Sequence, residues 1–99
     1  MYVIYGYGEL FLPYASTLKD KRMIIRSIQD RLKKRVNISV LEIKYKELWQ
    51  RSMLGFAAVA ATQTDLNLIK EAVQSVFDLH FAEADIIGLH FDIIPILPD

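Results

Sequence analysis

Ser16, Thr17, Lys19, Lys21 and Arg22 crowd the start of an amphipathic run, where the free backbone N–H groups of a helix favour an anion. Hydroxyls and cations gathered in that place are the groups that would hold a phosphate. Basic side chains in a first turn oppose the helix dipole by about 0.3–1 kcal/mol each. The three bases therefore need either an anion from outside or neighbouring acids, Asp20 and Glu9. Along the same run Lys19, Arg22, Arg26 and Lys33 recur at i, i+3, i+7 and i+14, with Arg31, Lys34 and Arg35 beside them. Such a stripe can follow a nucleic-acid backbone with strongly salt-dependent affinity; the plainer alternative is a solvated face that keeps the protein in solution.

A second cluster, Lys44-Tyr45-Lys46-Glu47-Leu48-Trp49-Gln50-Arg51, interleaves aromatics with bases, as stacking on an unpaired base with a phosphate contact would require. Packing is the favoured reading of Trp49, the only tryptophan: it clamps a hairpin onto the core and leaves Arg51 exposed to assist the basic helix. Tyr5, Tyr7 and Phe11 alternate along one strand, as stacking aromatics do in RNA-recognition folds. The candidate third strand lacks the matching aromatic-glycine signature, so a second copy of the chain is the favoured cover for this aromatic face. Glu9, His90 and Asp92 share that face at spacings that match no ligand motif, and His80 is explained as a cation near a helix C-terminus. There is no glycine-rich phosphate loop with its lysine and no arguable Ser/His/Asp set; neither a metal nor a cofactor is implied.

The elements that must position these residues follow from periodicity. Tyr2 to Leu12 alternates, with Ile4, Gly6, Gly8, Leu10 and Leu12 on one face, and the glycines there leave room for helices to pack closely. Thr17 and Asp20 form a capping pair for a helix over 18–34 with Leu18, Ile24, Ile25, Ile28 and Leu32 inward. Residues 38–45 read as an edge strand and 53–61, small and apolar, as a central one. Thr64 caps a second helix running to about Phe81, with Leu66, Ile69, Val73, Val76 and Phe77 inward. A last strand after Asp85 places Ile87, Leu89, Phe91 and Ile93 on one face, and Pro95 and Pro98 end its pairing. The order β-α-β-β-α-β, with two right-handed crossovers, predicts an α+β, ferredoxin-like βαββαβ sandwich. Its four-stranded antiparallel sheet has strand order 4-1-3-2, with both helices on one face.

Ninety-nine residues, 53% of them hydrophobic, make one domain over residues 1–99. The absence of cysteine excludes disulfides, thiolate metal sites and a cysteine nucleophile, and fits a reducing compartment. No apolar stretch approaches the roughly 20 residues a membrane span needs, and a cytoplasmic location without membrane contact is the expectation. Net charge is zero, yet residues 1–51 hold eleven bases and five acids while 52–99 hold one base and seven acids. The halves are thus +6 and −6, a split that suits an anionic partner for the basic half or head-to-tail self-association.

Two stretches, Leu12-Pro13 followed by Ser16-Thr17-Leu18-Lys19-Asp20-Lys21-Arg22, and Asn37-Ile38-Ser39-Val40-Leu41-Glu42-Ile43 leading into Glu47-Leu48-Trp49-Gln50-Arg51, resemble the YlxP-like domain-of-unknown-function family of small bacterial proteins. The resemblance implies a ferredoxin-like fold. It also implies, through the translation-initiation and ribosome-maturation genes that often accompany the family, a role near RNA or the ribosome. It supplies no catalytic residue. The sequence thus reads as a non-catalytic protein that binds RNA or a ribosomal assembly intermediate through Ser16, Thr17, Lys19, Lys21, Arg22, Arg26, Lys33 and Arg51. Homo-oligomerisation through Tyr5, Tyr7 and Phe11 is the main alternative, and a small-molecule enzyme the second.

Overall fold

The computed structural model describes residues 1–78 and 84–96, and the structural statements below concern those residues. Thr17 stays extended while its hydroxyl accepts the Asp20 N–H at 3.1 Å, and from there α1 runs over Leu18–Arg35. The pair anticipated from the sequence is therefore the working cap, an arrangement that contributes about 1 kcal/mol. The second helix, α2, spans Gln63–Asp78 and repeats the device two residues earlier than expected: Thr62, not Thr64, accepts the Asp65 N–H, at 3.1 Å. The reason is spacing, since Thr62 stands three residues before an acid, as Thr17 does before Asp20. Phe81, His80 and Pro98 lie outside the described residues.

Four strands, β1 (Tyr2–Phe11), β2 (Ser39–Lys44), β3 (Arg51–Ala60) and β4 (Asp85–Pro95), form one antiparallel sheet of order β2-β3-β1-β4, which is 4-1-3-2 read from the other edge. With both helices on one face this is the ferredoxin-like arrangement. Residues of period two supply the sheet's half of the core, among them Ile4, Leu10, Leu54, Phe56, Ala58 and Ala60; Ile25, Ile28, Leu32, Leu66, Ile69, Val73, Val76 and Phe77 supply the helices' half. Gly8 is required where the layers meet, because a Cβ there would stand 2.1 Å from the Phe77 ring.

Two irregularities change which way side chains point. In β4 the register shifts between Glu9 and Leu10, so Glu9 faces Gly88, Leu10 faces Ile86, and Ile87 is the extra residue. Ile87 was expected inward with Leu89, Phe91 and Ile93; the bulge turns it out to solvent and sets Ile86 against the core. In β2 the shift between Glu42 and Lys44 makes Ile43 the extra residue and leaves Glu42 opposite buried Leu54, on the helix side of the sheet.

Candidate nucleic-acid interface

The first turns of α1 carry three basic residues, and the structure separates their fates. Lys21 is 1% exposed, between helix and sheet. Its ammonium donates to the carbonyls of Tyr45 at 2.6 Å and Leu48 at 2.7 Å and pairs with Glu42 Oε2 at 2.8 Å. That oxygen also accepts the buried Ser52 hydroxyl at 2.6 Å. Three acceptors match the three protons of an ammonium, which is what burying such a charge demands. Lys21 was expected among anion-binding groups; instead it ties α1 to the β2–β3 connection.

Ser16 and Thr17, expected to cradle a phosphate, are also committed. The Ser16 N–H and hydroxyl both donate to Asp20 Oδ2, at 3.2 and 3.0 Å, and the Thr17 hydroxyl is the helix cap. Hydrogen bonds from the Ser16 N–H, then from its hydroxyl, hold the Asp20 carboxyl below its ordinary value. The anion at this helix start is therefore Asp20 itself.

What remains outside is the stripe. Lys19, Arg22, Arg26 and Lys33 are all exposed, and helical spacing sets them along one side of α1. Arg22 and Arg26 line a groove of about 230 Å³ between α1 and β2, together with Leu18, Lys21, Ile25, Gln29, Glu42 and Lys46. Gln29 spans it, donating from Nε2 to the Val40 carbonyl at 3.2 Å. Glu42, its one carboxylate, is held by Lys21 and Ser52. Among the described residues no acid lies within ion-pair distance of Lys19, Arg22, Arg26, Lys33 or Lys46. Lys46 was not among the expected contacts, since only the folded hairpin carries it beside α1; its place among bases and aromatics was the available signal.

Arg51 is not part of this groove. It sits opposite Phe11 in the β1–β3 register, on the face turned away from the helices. There it pairs with Glu9, donates to the Tyr45 hydroxyl at 3.2 Å and stacks on the Tyr45 ring at 4.1 Å. The hydrogen bond to Glu9 raises its pKa above the usual guanidinium value. The expectation that Arg51 assists the basic helix is thus corrected by strand parity: Ser52 points into the core, so Arg51 points away.

Trp49 also departs from its expected role, being 53% exposed rather than a clamp. The loop before β3 is held from beneath by Lys21, by Gln50 donating to the Pro13 carbonyl at 3.1 Å and by the Leu12 N–H donating to the Gln50 carbonyl at 2.9 Å. Tyr45 takes a left-handed φ of 66°, and its carbonyl also accepts the Leu48 N–H at 3.0 Å. Trp49 and Leu48 face outward, around a shallow hollow shared with Phe11 and Arg51.

The open face of the sheet carries Tyr5, Tyr7 and Phe11, all exposed as expected. His90 lies beside Tyr7, ring centroids 5.1 Å apart, and Asp92 beside Tyr5. Among the described residues no three His, Cys, Asp or Glu side chains gather to hold a metal, and no helix is long and apolar enough to cross a membrane.

The two stretches that carry the family resemblance thus meet in space, the start of α1 donating through Lys21 to Glu42, Tyr45 and Leu48. Residues 3–90 match the family described as Protein of unknown function (DUF503). The chain belongs to the DUF503 family. It is 33% identical over 70 residues to the uncharacterized protein YlxP of Bacillus subtilis (strain 168), a match spanning 71% of this chain and 76% of that relative. In this DUF503 protein, the Lys21 network ties Lys21, Glu42, Ser52 and the 45–48 connection together, while Asp20 serves the helix cap. The exposed cations of α1 play no part in that network.

Proposed function

We propose that this DUF503 protein is a non-catalytic RNA-binding protein, associated with the ribosome or its assembly, that holds a phosphate backbone along the α1–β2 groove. The observation that carries the reading is the convergence of Arg22, Arg26 and Lys46 on a groove whose one carboxylate is already neutralised. Lys19 and Lys33 extend the positive strip along the helix. Guanidinium groups suit this task, because their planar donors match phosphate oxygens in pairs. The preference for RNA follows the company kept by the resembling family's genes.

The test is a titration of the full chain with labelled ribosomal RNA fragments over a range of salt concentrations. With three or four phosphates contacted, log affinity falls against log salt with a slope of about −2 to −4. Replacing Arg22 and Arg26 together by alanine is expected to weaken binding to all fragments and to flatten that slope by about 2, with the melting temperature nearly unchanged. Equal affinity in the double variant removes the groove from the interface.

A further inference from the structure

We infer that the open face of the sheet is the contact surface between two copies of this chain, packed face to face with the helices outermost. This surface is distinct from the α1–β2 groove and does not depend on RNA binding.

Apolar side chains reach across this face from one edge of the sheet to the other, interrupted on β4 by His90 and Asp92. Leu41 and Ile43 on β2, Val59 on β3, Tyr5, Tyr7 and Phe11 on β1 and Ile94 on β4 are all large, exposed hydrophobic residues. Val59, the most exposed of them, retains 62% of its surface. Of the charges on this face, Glu9 and Arg51 pair with each other. A monomer rarely leaves so broad a patch to water.

Size and relief both favour a second copy. Three strands of 10 or 11 residues and one of 6, at about 3.3 Å per residue and about 4.8 Å apart, give a footprint of roughly 600 Å² per copy before side-chain relief. Two such footprints reach the roughly 1,200 Å² at which stable interfaces begin. Tyr5 and Tyr7 form a ridge along β1, and their partners on β3 are small: Ala57 opposite Tyr5 and Gly55 opposite Tyr7. A two-fold axis running between β1 and β3, parallel to the strands, lays Tyr5 of each copy over the exposed Ala57 of the other, and Tyr7 over the Ile43 side chain that covers Gly55. The same residues meet from both sides, as an isologous contact requires. Edge-to-edge pairing is the poorer alternative, because Gln29 occupies the Val40 carbonyl of β2 and Pro95 closes β4.

The experiment is the solution mass of the full chain by analytical ultracentrifugation across micromolar concentrations. A mass near twice 11.4 kDa is expected. A wild-type monomer throughout overturns the inference and assigns the face to a different protein. Ala57→Arg sets a charge where Tyr5 of the second copy would rest and is expected to leave a monomer with an unchanged circular dichroism spectrum. Leu68→Arg, on the exposed side of α2, is expected to remain a dimer; a reversed pattern overturns the assignment to this face. Single-cysteine variants serve if the arginine variants misfold, because the chain has no cysteine of its own. A thiol introduced by Ala57→Cys is expected to resist maleimide until the dimer is diluted, whereas one introduced by Leu68→Cys reacts at once. Equal reactivity at the two positions overturns the inference.

Discussion

On β1, Ile4 is sealed from solvent while its neighbour Tyr5 keeps 43% of its surface exposed, and on β3 buried Ala58 stands beside exposed Val59. Both faces of the sheet are apolar, but only one is covered within the chain. Hydrophobicity alone does not distinguish them; the layer above them does, since among the described residues helix side chains pack over one face and none over the other. Gly8 lies under Phe77 on the covered face, whereas Gly88 lies in the open, where an added Cβ would come no closer than 3.4 Å to the His90 ring.

The largest effect is expected from Lys21→Ala on the covered side. It strands the partly buried Glu42 carboxylate and two loop carbonyls, and breaking such a buried pair costs about 3–5 kcal/mol, read as a shift in the urea midpoint. A loss below about 1 kcal/mol would mean that the β2–β3 connection is held by its other bonds. Next, Gly8→Ala is expected to destabilise by about 1–3 kcal/mol through overpacking against Phe77, while Gly88→Ala on the open face stays within about 0.5 kcal/mol. Equal costs at the two glycines would erase the contrast between the faces. The smallest effect concerns how α2 is fastened over the covered face: Thr62→Ala is expected to cost about 1 kcal/mol and Thr64→Ala almost nothing, by thermal unfolding.

Much of the fold was legible because its signals are local. The Thr17–Asp20 cap, the inward stripe of α2 and the alternation of β1 each rest on residues a few positions apart. The misplacement of the second cap between Thr62 and Thr64 shows the limit of a single-residue signal; the three-residue spacing to Asp65 resolves it. Ile87 was misread because a bulge shifts strand parity, and the bulge depends on the neighbouring strand. For the candidate site, the helical period aligned Lys19, Arg22, Arg26 and Lys33, and it also set Lys21 on the inward side with Ile25, Ile28 and Leu32, a signal that the grouping of bases by type passed over.

The sequence by itself determined the element order, the two-sided apolar sheet and the one-sided charge of α1, because each is a periodicity that survives without tertiary contacts. The tertiary structure decided the fate of individual charges. Lys21 is internal because carbonyls 24 and 27 residues away fold back over it, and Arg51 is cut off from the basic helix because the sheet lies between them. Lys46 joins Arg22 and Arg26 by the same folding of the hairpin. A side chain's electrostatic role is set by the groups within hydrogen-bond reach, and in this chain those groups are brought in by long-range pairing.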